Sequence, residues 1–173
     1  MLRWIVATLH LIALGIGLGA IFMRARSLRS PMDGSRVGGV LHADTLWGLA
    51  AVLWISTGLW RAFGGLEKGS DHYLQSGAFR IKMTLLALIL VLEVWPMITL
   101  LRWRIARGRG DTPDLHAAPA LARISRVQLI LVIAMVFAAT AMARGLGYQL
   151  GAAERAAASS PARSSAPGPG GRQ

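Results

Sequence analysis

Between Phe79 and Leu101 the chain reads FRIKMTLLALILVLEVWPMITLL, an apolar run that nevertheless carries Lys82 and Glu93. A membrane helix needs about 20 mostly apolar residues, and this run meets that length. Lys82 and Glu93 are eleven positions apart. At about 100° per residue they return to nearly one helix face, roughly 16 Å apart in depth. Leu86 and Ile89 lie on the line between them. Charge turned toward lipid is expensive, so this face is expected to look into a protein interior.

Three further apolar runs accompany it. Residues 4–23 (WIVATLHLIALGIGLGAIFM), 44–63 and 127–146 are each about as long as a bilayer requires. Arg24 and Arg26 follow the first run in a stop-transfer pattern, which favours a retained span over a cleaved signal peptide. Of the 173 residues 54% are hydrophobic and 16% charged, against about 25% charged in an ordinary soluble domain. The expectation is an all-α membrane protein: a bundle of four transmembrane helices over residues 1–150, with spans at 4–23, 44–63, 79–101 and 127–146. A disordered tail rich in Ala, Ser, Pro and Gly is expected over residues 151–173.

The net charge of +11 has two readings, a nucleic-acid partner or a charged membrane flank. The arginines sit in loops beside the apolar runs, which selects the membrane and leaves no role for nucleic acid. The first loop with its flank (Arg24, Arg26, Arg29 and Arg36) and the third (101–126) together hold ten Lys and Arg, whereas the N-terminus and the second loop hold few. These loops are therefore expected to face the cytoplasm of a bacterial inner membrane, with both termini periplasmic. Cysteine is absent, which excludes disulfides, thiolate nucleophiles and iron–sulfur clusters held by this chain.

The candidate functional residues are the ionisable ones inside the spans. His10 shares a helix face with Ala13 and Gly17, which leaves room beside the imidazole for a flat ligand. An imidazole at such a place suits haem ligation or proton transfer, whereas the competing reading is a histidine hydrogen-bonded across helices. Lys82 suits a carboxylate partner such as a porphyrin propionate, or else it snorkels to the headgroups. Glu93 is too deep to snorkel and precedes Pro96, which removes a helix donor. It is suited to relay protons or to pair with an arginine. Asp44 reads as a helix cap. Trp47 and Trp60 read as interface anchors, and Gly15 with Gly19 as a packing pair. On the expected topology His10 and Lys82 share the outer half of the bilayer, and Asp44 and Glu93 the inner half. Of His42, His72 and His116, only His42 is placed to reach the bundle.

No G-x-S-x-G, Walker A, H-E-x-x-H or strand-borne G-x-G-x-x-G motif occurs, so the sequence names no reaction. The stretches TLHLIALGIGLGAIFMRARSLR, ADTLWGLAAVLWISTGLWRAF and FRIKMTLLALILVLEVWPMITLLRWR resemble a bacterial family of four-span membrane proteins, domain-of-unknown-function family 2214. A more distant similarity is to HemJ-type protoporphyrinogen oxidases and CopD-like membrane proteins, which carry a histidine in the first span and a lysine early in the third. That resemblance implies His10 as a haem b ligand, Lys82 as the essential lysine, and oxidation of a porphyrinogen. The histidine expected later in the third span is absent here, and Glu93 stands in that region. The alternative is a non-enzymatic scaffold, or a small carrier that forms homo-oligomers in the lipid bilayer.

Overall fold

A membrane leaves backbone N–H and C=O groups no water to bond, so a spanning segment satisfies them internally as a helix. The computed structural model describes residues 1–29, 34–64 and 77–144, and within them the chain is helical with no strands. Helix α1 runs Leu2–Ser27 and α2 runs Val37–Phe63. Helix α3 runs Gly77–Gly108 and α4 runs Ala118–Ala143. All four are long and apolar enough to cross a membrane. The chain is a four-helix membrane bundle.

Each helix is longer than its apolar run. α1 continues through Arg24 and Arg26, α2 starts seven residues before Asp44, and α3 passes through a buried Pro96 to Gly108. Gly110, at φ +82°, turns the chain after α3, in a conformation that glycine adopts without steric cost. The first and third loops are correspondingly shorter than the sequence suggests. The second connection, the tail from 151 and His72 lie outside the described residues.

The helices run up and down. His10 near the start of α1 meets Thr57 near the end of α2, while Arg24 at the end of α1 meets Asp44 near the start of α2. α2 packs along α1, α1 against α4 and α4 against α3, whereas α2 and α3 barely touch. A cleft therefore opens sideways between α2 and α3. One apolar cluster fills the end near Arg24, with Leu41, Leu100, Trp103 and Leu121 at its heart. A second occupies the middle, built on Ile21, Trp47, Ile89 and Met135. Val52, Val91 and Phe137 instead point outward and are 70%, 71% and 70% exposed, as side chains bathed in lipid are.

Candidate functional site

The small residues of α1 form a stripe, Ala13, Gly17 and Ala20, that lets neighbours approach closely, and the stripe ends at Arg24. There the guanidinium is wholly buried. Its Nε donates to Ser125 Oγ at 3.1 Å, and Nη1 donates to Asp44 Oδ1 at 2.9 Å and Glu93 Oε1 at 2.7 Å. Nη2 donates to Glu93 Oε2 and to Gln128 Oε1, both at 2.8 Å. A guanidinium has five N–H groups, so every one is satisfied. The two bonds to Glu93 form the parallel fork that arginine makes with carboxylates.

This one side chain ties α1 to α2, α3 and α4. Gln128 closes the ring by donating from Nε2 to Glu93 Oε2 at 2.6 Å, and Asp44 Oδ2 accepts from Arg104 Nη2 at 2.9 Å. Two guanidinium groups thus face two carboxylates, and the cluster balances its charge. Asp44 is therefore no helix cap: it lies inside α2 and pairs with two arginines. Trp47 is no interface anchor either, being buried with its ring centroid 6.0 Å from the Arg24 Cζ. Trp60 stays 51% exposed, as an anchor would be.

The other end is built differently. Thr57 Oγ1 lies 2.6 Å from the Leu53 carbonyl and gives its proton to it. The same Oγ1 lies 3.0 Å from His10 Nδ1. In the tautomer that carries its proton on Nδ1 the ring donates to Oγ1 and its lone pair lies on Nε2. The His10 ring stacks on Trp54 at 5.5 Å between centroids and 22° between planes. Gly58 makes room for it, since a Cβ there would stand 3.1 Å from His10 Cε1.

The cleft between α2 and α3 has two halves. The half beside His10 is lined by Lys82, Phe79, Met83, Met135 and Gly58. The half toward the hub is lined by Ala13, Gly17, Ala51, Leu90, Val132 and Glu93. Trp54, Ile55 and Leu86 belong to both, so the two halves adjoin at these side chains. The Trp54 indole N–H is buried and has no acceptor among the described residues.

A model of a predicted membrane protein family, DUF2214, matches residues 2–147. The chain belongs to this family. No curated protein matches it, and no solved structure does. As a DUF2214 member it is a membrane protein whose outer surface contacts the lipid bilayer.

Against this family background the ionisable residues fall into two groups. His10 and Lys82 line one half of the cleft, whereas Glu93 and Asp44 join Arg24 about 16 Å of helix rise away. The face linking Lys82 to Glu93 does turn inward: Leu86 lines the cleft and Ile89 is buried. His42 is exposed and does not reach the bundle, and His116 is exposed as well. Gly15 and Gly19 meet no neighbour within 4 Å where a Cβ would stand, so they pack no helix of the described chain. Among the described residues no group of three His, Cys, Asp or Glu is placed to hold a metal ion. The hub residues Arg24, Ser125 and Arg104 escape a sequence reading. The signal that finds Arg24 is its place on the stripe, seven residues after Gly17 and so two turns along the same face.

Proposed function

We propose that this DUF2214 member is an intramembrane redox protein whose cleft holds a b-type haem at His10. The observation that carries the reading is the hydrogen bond between His10 Nδ1 and Thr57 Oγ1, because a metal-ligating histidine engages its second ring nitrogen in a hydrogen bond. The other donors suit the same group. Met83 and Met135 line that half of the cleft and offer thioethers, and Lys82 offers a cation for a propionate. Bound there, the haem would supply one-electron transfer. The chain's own part is to orient the imidazole through Thr57, to position a carboxylate at Lys82 and to exclude water with apolar walls. Oxidation of a porphyrinogen, with Lys82 in the catalytic role, is the finer version of this reading. Glu93, the other catalytic candidate, we assign to the hub, since both its oxygens accept from Arg24.

Absorbance spectra of the purified protein with haem supplied during expression test the reading. A Soret band with b-type peaks on reduction is expected in the parent, lost in His10→Ala and weakened in Thr57→Val. A parent without a Soret band sinks it.

The hub favours a second reading, a scaffold or small oligomeric carrier, because it commits its charges to holding helices together. Cross-linking in the membrane that yields monomers alone excludes the oligomeric carrier. For location, we propose the bacterial inner membrane with the two arginine-rich loops cytoplasmic. The chain has no cysteine, so a single Asp111→Cys is the only thiol to label. Labelling of intact cells by a membrane-impermeant maleimide would reverse the proposed orientation.

A further inference from the structure

The end of the bundle near Arg24 carries more positive charge than its acids balance. Asp44 and Glu93 are taken up by Arg24 and Arg104. Arg26 on α1, Arg102 and Arg107 on α3, and Arg123 and Arg126 on α4 are exposed, whereas the exposed acids among the described residues are Asp111 and Asp114. Two of these cations converge on α2. Arg104 donates from Nη2 to the Leu41 carbonyl, Asp44 Oδ2 and Thr45 Oγ1, each at 2.9 Å. Its Nε and Nη1 have no acceptor among the described residues. The Arg107 guanidinium lies over Gly38, where a Cβ would stand 2.9 Å from its Nη1. None of its N–H groups has an acceptor among the described residues, and the first turn of α2 holds no acid to neutralise it. From Gly38 to Leu41 is roughly 4.5 Å of helix rise, so the two guanidinium groups meet α2 about one turn apart. Open guanidinium forks at that spacing match the oxygens of a phosphate. The neighbourhood decides where the phosphate comes from. Met97 and Leu101, seven and three residues before Arg104 and so on its side of α3, are exposed apolar side chains, as is Ile105 beside it. The pair therefore stands where the apolar surface ends, and there a lipid presents its phosphate and its chains together.

We propose that the seam between α2 and α3 at Arg104 and Arg107 is a binding site for the phosphate of an anionic phospholipid. Both guanidinium groups donate to the phosphate, and an acyl chain runs along Leu101 and Met97. Gly38 contributes by its missing side chain, which leaves Arg107 room against α2. The site lies at the opposite end of the bundle from His10 and does not depend on haem.

The test is native mass spectrometry of the full chain in dodecylmaltoside, titrated with dioleoylphosphatidylglycerol or dioleoylphosphatidylcholine. The anionic lipid is expected to bind about tenfold more tightly, and Arg107→Gln should remove most of that preference. Arg107 takes no part in the hub, so this variant should unfold at the parent's temperature. Gly38→Ala pushes the same guanidinium aside and should weaken the anionic lipid in the same direction, which repeats the test should Arg107→Gln fold poorly. Arg123→Gln combined with Arg126→Gln removes more charge, but from α4, which does not pack against α2. That pair should leave the preference within about twofold, since exposed charges at a distance are screened. A loss as large as that of Arg107→Gln would mean diffuse attraction and overturn the site. Equal binding of the two lipids overturns it as well. Glycerol 3-phosphate, a head without chains, should displace the anionic lipid poorly. Displacement at equal concentration would make the ligand a free phosphate and overturn the lipid.

Discussion

The two ends of this bundle are made by the same four helices and reach opposite solutions. At the Arg24 end one buried cation draws a side chain from every other helix, and the bundle is closed. At the His10 end a histidine and a threonine join α1 to α2, and over their whole length α2 makes only slight contact with α3. Lipid supplies no hydrophobic force between helices, so close packing and polar contacts decide which pairs touch. The difference teaches that the polar hub does the closing here, and that a cleft persists where no such hub reaches across.

The largest expected effect breaks that contrast at its source. Arg24→Met leaves Asp44 and Glu93 in the bundle without their shared cation, and should cost about 3–5 kcal/mol by thermal or denaturant unfolding in detergent. Replacing Arg24, Asp44 and Glu93 together by leucine should recover part of that loss, since apolar groups can substitute for buried ions, while Ser125 and Gln128 are left without these partners. A triple variant as unstable as Arg24→Met would mean that packing, not charge balance, governs this end. Glu93→Gln keeps the side chain's shape and one acceptor, and should cost about 1–3 kcal/mol in the same assay.

At the open end, Gly58→Ala sets a methyl 3.1 Å from His10 Cε1, so the ring must shift, and with alanine's helix propensity offsetting part of the strain the net cost should be about 0–2 kcal/mol. It should also alter whatever spectral signature His10 carries. An unchanged spectrum with a lost Soret band in His10→Ala would place the imidazole edge elsewhere than Gly58. The smallest effect belongs to Arg104→Gln. Its side chain is 37% exposed, so its bond to Asp44 is screened and should contribute about 0–1 kcal/mol to unfolding.

Much of the fold is legible in the residues, and the site only partly so. The four spans follow from apolar length, and the inward face of α3 follows from Lys82 and Glu93 returning to one line every eleven residues. The same rule misjudges the helix ends, because an apolar run stops at the first charge while a helix stops where its backbone bonds stop. Arg24 therefore reads as the end of a span, although it is the most connected side chain of the interior. Its partners Ser125 and Gln128 lie more than a hundred positions away, and no local pattern contains them. Asp44 and Trp47 are misjudged for the same reason, each looking like an end residue in a helix that starts earlier. His10 is easier, since its small neighbours Ala13 and Gly17 announce a buried face.

The hub also imposes an order on biosynthesis. Arg24 is made early, Asp44 arrives twenty residues later, Glu93 sixty-nine later and Gln128 one hundred and four later. A ribosome feeding this chain into a bilayer thus delivers the cation long before its full set of acceptors. Until α4 is in place, the guanidinium lacks the Ser125 and Gln128 acceptors, and water or headgroups would serve in their stead. Entry of the last helix completes the set of acceptors around Arg24, and a chain stalled before Ser125 leaves that guanidinium without its Ser125 and Gln128 partners.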